Sequence, residues 1–569
     1  MVKSCYGGIM DKKKILAVVG FVVLAVVAVA LRLLYISTPL WYDEACSWFT
    51  AIQAFPMGII DNLLQLDLQH TPLYFFLLHF WIKVFGDGEI ALKSLSLMFG
   101  IAALPLVYTA VKKLASQKMA VWGLILASVS PLMVYFSTEV RMYPAAVFLV
   151  MLSINYLIDF NDKADTNSLV KLIIANVLLP YTLVGGILYN ISLFVCYGSY
   201  LFRQRKDLFS KYIKACGTEL LLLIPYFCLV FYYARMRSLF VIRHEGELHF
   251  FNIIDILRNF FGSNLVNNIY WPSMEPYVIS FSFTMLVIVP CVYFVYGLVQ
   301  GFKYSEGFIK SLYALIFMNF CLFIVCSYMQ VNVLTVRYIL YLFLPMLILA
   351  MIGLSKRISS IHFKGFLIFF AACSIFSCIQ YSEFSYGVKG LAFKSVKTEA
   401  VKFGLTSEDI ILMPFGADAP YYFRAEGSPR VFNFDFHKEV RNPYNSKYYD
   451  EEQMKFMDKE AKYRVIYDAI FADSGFSQNH YEYFKKNVID QVESGRYVLL
   501  ALYASDSSSL VTLPELKKSI SSIQDIKDNC LEVMLKKYLY DIRYYLTYDF
   551  NFLGLQNIDN YMYLIFQKK

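Results

Sequence analysis

Long apolar runs recur through the first two thirds of the chain, and most gaps between them hold a short cluster of Lys or Arg. A helix needs about 20 apolar residues to cross ~30 Å of hydrocarbon, and inside lipid a helix also satisfies its own backbone hydrogen bonds. Residues 15–35, 91–111 and 119–136 fit that demand. Hydrophobic residues make up 58% of the 569 and charged residues only 17%, against roughly 25% charged in a soluble domain. Mean hydropathy is +0.49. The chain therefore reads as a polytopic α-helical membrane protein with the lipid bilayer as its first partner. Its net charge of +8 lies scattered between the runs, the pattern left by topology selection, so no nucleic-acid partner is expected.

Counting gives eleven spans, at 15–35, 91–111, 119–136, 142–160, 169–181, 186–202, 216–233, 278–299, 312–328, 339–354 and 366–379. The first follows Lys12-Lys13-Lys14, and Ala28-Val29-Ala30 looks like a cleavage site. The apolar run continues through Leu33-Leu34-Tyr35-Ile36, however, which favours an uncleaved helix with its N-terminus inside. Residues 71–85 are the ambiguous stretch. As a helix they reach only ~22 Å at ~1.5 Å per residue, with His79 and Lys83 on one face and Phe76, Phe80 and Trp81 as anchors. They read as a helix lying in the outer interface. A crossing there would move Lys112-Lys113, Arg203 with Arg205, and Lys356-Arg357 outside, against the orientation rule. Most of the eleven cysteines lie in apolar runs, and no pair has metal-ligand spacing.

Beyond about residue 380 the pattern changes. Residues 409–413 and 497–501 read as short buried strands, and 485–493 and 516–533 as helices. The division is a transmembrane domain over 1–380 and an extracytoplasmic, soluble α/β domain over 381–569.

This topology puts Asp43, Glu44, Asp67, His70, Glu139 and Arg141 on one outer surface. Singly, each has a plain explanation. Acids after a span are usually solvated, Arg141 could snorkel, and Ser137-Thr138-Glu139 could cap a helix. Together they form motifs: Trp41-Tyr42-Asp43-Glu44-Ala45, Gln69-His70-Thr71-Pro72-Leu73-Tyr74, Leu77-Leu78-His79-Phe80-Trp81, Ser137-Thr138-Glu139-Val140-Arg141-Met142-Tyr143, and later Arg337-Tyr338.

These motifs resemble those of the membrane-embedded GT-C glycosyltransferases. Within them they look like the glycosyltransferase 39 group, relatives of protein O-mannosyltransferases and of the lipid A aminoarabinose transferase. The resemblance covers roughly the first 355 residues. It departs at Thr71, where the family has a second proline, and at Thr138 and Val140, where it has Gln and Ala. It implies a GT-C fold with about eleven spans and interfacial helices in the first outer loop. It also implies sugar transfer from a polyprenyl-phosphate donor to a protein, lipid or envelope-glycan acceptor, at the extracytoplasmic face of a bacterial plasma membrane. By resemblance Asp43 is the base, Glu44 its supporting neighbour and Glu139 a second acid; His70, Arg141 and Arg337 hold the donor phosphate. A divalent cation on Asp43 and Glu139 is the one cofactor the resemblance suggests. The competing reading is a transporter or flippase of lipid-linked glycans. Such proteins place ionisable groups at the midplane, whereas here the acids cluster in loops.

Overall fold

In the computed structural model the apolar runs fold as helices. The structure describes residues 12–66, 70–239, 292–328, 336–355, 360–388, 391–414, 419–424, 426–434, 465–468, 490–503, 550–558 and 561–569. The first helix, α1 (Lys12–Ile36), leads into three short ones, α2 (Tyr42–Ala51), α3 (Met57–Leu66) and α4 (Leu73–Phe85). Then come α5 (Glu89–Leu114), α6 (Gln117–Val129), α7 (Pro131–Phe136), α8 (Tyr143–Lys163), α9 (Thr166–Thr182), α10 (Gly186–Gln204), α11 (Lys206–Leu222) and α12 (Ile224–Leu239).

Among the described residues five helical segments are long and apolar enough to cross a bilayer: Val18–Ile36, Glu89–Leu114, Tyr143–Lys163, Gly307–Ser327 and Val336–Leu354. The bent pair α11–α12 makes a sixth. The expected eleven are thus met only in part, because several runs are shorter or broken. The run 119–136 divides at Ser130-Pro131, where Ser130 is extended (ψ 120°). Proline disfavours helical backbone at the residue before it and supplies no N–H of its own. Ser130 then caps α7 by accepting from the Met133 N–H at 3.5 Å. The run 216–233 bends by 51° at Leu223, two residues before Pro225. The run 278–299 begins outside the described residues, which are helical over 292–304; Asp67 lies outside them too.

α4 has 13 residues, about 20 Å at ~1.5 Å per residue, so by itself it cannot cross. Its inner face is Tyr74, Phe75, Leu78 and His79, while Phe80, Val84 and Phe85 are exposed. The expected polar face shared by His79 and Lys83 is therefore split. His79 turns inward, its Nδ1 donating to the Ala51 carbonyl at 2.7 Å, and Lys83 stays exposed.

After the helix Ile361–Val388 comes a sheet in the order β3-β2-β1-β4-β6-β5, with β1 (Ile410–Pro414), β2 (Arg430–Phe434), β3 (Val465–Asp468), β4 (Tyr497–Tyr503), β5 (Phe550–Ile558) and β6 (Tyr561–Lys568). β3, β2, β1 and β4 run parallel, and β6 is antiparallel to both β4 and β5. The strands expected at 409–413 and 497–501 are β1 and β4, parallel neighbours in register Ile410 to Val498. The helical pattern at 516–533 lies outside the described residues, as does most of that at 485–493.

This sheet-bearing part docks on the end of α1 and the starts of α2 and α5. The Tyr422 hydroxyl accepts from the Leu40 N–H at 2.8 Å and donates to Glu89 Oε1 at 3.0 Å. Burial raises the Tyr422 phenol pKa far above its ordinary value, which keeps it a donor. The Tyr421 ring meets Trp48 edge-on at 5.3 Å, and Arg424 pairs with Asp87 at 3.0 Å. The segment between β1 and β2 therefore sits against the same end of α2 and α5 as the Trp41–Glu44 motif.

Candidate active site

The motif after α1 becomes the start of α2, and its two acids part company there. Neighbours on a helix point about 100° apart, since ~3.6 residues make a turn. Glu44 turns inward and is fully buried. One carboxylate oxygen accepts from the Trp41 N–H at 3.2 Å, the reach back to a helix start that an acid at this position makes. The other accepts from the Val140 N–H at 2.9 Å, tying α2 to the second motif loop. Glu44→Gln should therefore lower thermal stability, because the amide NH2 would confront a backbone N–H. A buried donor left unpaired costs about 1–3 kcal/mol. An unchanged melting temperature would show that this tie holds nothing.

Asp43 turns outward. Its Oδ2 lies 2.8 Å from Arg337 Nη1 and 4.0 Å from Arg141 Nη2. Its side chain is 19% exposed and that of Arg337 39%, whereas that of Arg141 is only 4% exposed. Arg141 donates to protein through both terminal nitrogens: Nη1 to the Asp43 carbonyl at 3.1 Å and Ser47 Oγ at 3.2 Å, Nη2 to His70 Nε2 at 2.6 Å. A guanidinium only donates, so His70 Nε2 must accept. The imidazole is then neutral with its proton on Nδ1, and the protonated His70 that a phosphate ligand would call for does not fit this geometry. The His70 carbonyl accepts from the Tyr233 hydroxyl at 2.7 Å, which fixes the loop before α4. Glu139 is 2% exposed, with its carbonyl bonded to the Arg141 N–H at 2.8 Å.

The motif residues Asp43, His70, Arg141 and Arg337 thus meet at one point, and Glu44 braces it from behind. A divalent cation on Asp43 would have to displace the groups that face it. Asp43 already faces two guanidinium groups, and among the described residues no group of three or more His, Cys, Asp or Glu side chains could hold an ion.

Two cations inside apolar runs were not legible as site residues. Lys93 is fully buried and donates to the Thr38 carbonyl at 2.5 Å, closing the end of α1, where a cation complements the helix dipole. Arg32 is also fully buried; its Nε donates to Ser137 Oγ at 3.2 Å and its Nη1 to the Ala28 and Ser128 carbonyls at 2.8 and 3.0 Å. Together they fasten α1 to α5 and to the second motif loop. Gly100 of α5 lets Ser137 approach this closely, since a Cβ there would strike the Ser137 side chain.

Comparison with known proteins agrees with the motifs. Residues 69–230 match the model of the family described as dolichyl-phosphate-mannose-protein mannosyltransferase. Among solved structures, the chain is similar to ArnT from Cupriavidus metallidurans bound to undecaprenyl phosphate, at 12% identity and a TM-score of 0.47, over 96% of this chain and 98% of that one. It is also similar to the apo oligosaccharyltransferase of Archaeoglobus fulgidus, at 11% identity and a TM-score of 0.47, over 84% of this chain and 68% of that one. No curated protein matches it in sequence. The stretch 69–230 holds His70, Glu139 and Arg141, and its match to that family bears out the resemblance of this chain to the membrane-embedded GT-C glycosyltransferases.

Proposed function

We propose that this protein transfers a sugar from a polyprenyl-phosphate donor to an acceptor nucleophile at the extracytoplasmic membrane face. The observation that carries the reading is the partly exposed Asp43–Arg337 pair at 2.8 Å. It sets a proton acceptor beside a phosphate-binding cation, the two groups such a transfer needs.

The acceptor oxygen attacks the anomeric carbon, its proton passes to Asp43, and the bond from that carbon to the phosphate oxygen breaks with the pair leaving on phosphate. Phosphate offers Arg337 a bidentate partner, so donor binding draws the guanidinium off Asp43 and frees the base. Arg141 positions Asp43 through its carbonyl and carries the second positive charge. Glu44 is a positioning residue. Glu139 lies within the second motif loop, where its carbonyl accepts from the Arg141 N–H. The segment between β1 and β2, docked against the end of α2 that carries the Trp41–Glu44 motif, would share the outer face and the acceptor's approach.

The neutral His70 gives a pH signature. Protonating Nε2 would set two cations against each other at 2.6 Å. The arrangement is therefore intact while the imidazole is neutral and is lost once acid protonates it. Transfer should show an acidic limb, and His70→Gln, which keeps a neutral acceptor, should flatten it. A limb that persists in His70→Gln would assign the titration to another group.

Purified full-length protein given a radiolabelled polyprenyl-phosphate sugar and envelope acceptors tests the function. A transferase releases free lipid phosphate and moves label to the acceptor. A flippase would return the donor intact, and that outcome would reject the enzyme reading.

A further inference from the structure

Tyr143, the first residue of α8, is 1% exposed, yet its hydroxyl has no hydrogen-bond partner among the described residues. Buried phenols normally find one, because a polar group taken from water without compensation is costly. What surrounds it says what is missing. The Arg141 guanidinium lies 6.0 Å from the Tyr143 ring centroid, and the rings of Tyr338 and Phe136 meet it edge-on at 6.2 and 5.7 Å. Arg141, Arg337, Asp43 and Tyr338 are all within electrostatic reach of the phenol. Two of these are guanidinium groups, which only donate, and the Asp43 Oδ2 is already engaged by Arg337. The hydroxyl is left with a proton to donate, and beside two cations an anionic oxygen is the acceptor favoured.

We propose that the Tyr143 hydroxyl donates a hydrogen bond to a phosphoryl oxygen of the bound lipid-linked donor, making it a third phosphate ligand beside Arg337 and Arg141. The inference rests on the donor reading above. It explains why a buried hydroxyl without a partner among the described residues stands beside two guanidinium groups.

Tyr143→Phe removes that oxygen alone. Binding of undecaprenyl phosphate to full-length protein in detergent is measured for wild type and variant, together with the melting temperature of each without lipid. The melting temperature should be unchanged or higher, since an unpaired buried hydroxyl has gone. Affinity for undecaprenyl phosphate should fall about tenfold, or ~1.4 kcal/mol. Inorganic phosphate competing for the same site should weaken by a similar factor, because the contact is to phosphoryl oxygen and not to the isoprenoid. Equal affinity of the two proteins overturns the proposal, as does a loss confined to the lipid. A lowered melting temperature without lipid also overturns it, by giving the hydroxyl a structural partner. Wild type that fails to bind undecaprenyl phosphate would instead sink the donor reading, which separates the two failures.

Discussion

Asp43→Asn should lower turnover by ~10²–10⁴-fold, the usual loss when a general base is removed, in a protein that still folds and inserts. The carboxamide is nearly isosteric but takes up no proton. The Asp43 carbonyl, which accepts from Arg141 Nη1 at 3.1 Å and from Ser47 Oγ at 3.1 Å, survives the change, so the backbone of α2 keeps its place. What the fold loses is one partly exposed ion pair, worth about 0–1 kcal/mol. Donor binding should persist, or tighten, because Arg337 no longer has a competing carboxylate. Single-turnover transfer and donor affinity, measured on the same preparation, separate these effects. Near-native turnover would remove Asp43 as the base. Glu139 would then be the next candidate, because both oxygens of Glu44 are held by backbone N–H groups.

The division of labour between Asp43 and Glu44 is where sequence reading ran out. Both sit in one motif, and only the helix they begin decides that one faces Arg337 and the other the Val140 N–H, 96 positions away. Distance along the chain hid Arg32 and Lys93 in the same way. Each reads as a stray charge near a span end, and their partners, Ser128 and Thr38, lie 96 and 55 residues off. His70 was legible as a site residue but not its protonation, which is set by Arg141 at 71 residues' remove. Local rules fared better. Apolar length identified the long helices, and the buried runs that became β1 and β4 were legible as strands. The breaks at Ser130-Pro131 and before Pro225 were open to the same kind of rule, since proline constrains the residue before it. The order of the sheet was not, because parallel pairing such as β1 with β4 joins segments nearly 90 residues apart.

Arg337→Lys should damage transfer almost as much as Arg337→Ala, although it keeps the charge. Arg337 is the most exposed of the clustered cations, and its guanidinium lies over the Tyr338 ring at 5.2 Å while one nitrogen reaches Asp43. Held that way, the planar group can turn two parallel N–H bonds onto a phosphate, which an ammonium cannot reproduce. Each hydrogen bond to a charged group contributes about 1.5–3 kcal/mol. Losing one bond of the pair should therefore lower kcat/KM by roughly 10–100-fold, and the alanine variant should fall only a little further. A lysine could still pair with Asp43, so the resting site would survive and the loss would lie in donor engagement. The opposing view makes Arg337 a membrane anchor whose head reaches the interface, a role in which lysine substitutes fully. Donor affinity and kcat/KM for the two variants side by side decide between them. Wild-type values for Arg337→Lys in both would reduce the residue to an anchor, leaving Arg141 and Tyr143 as the phosphate ligands to test.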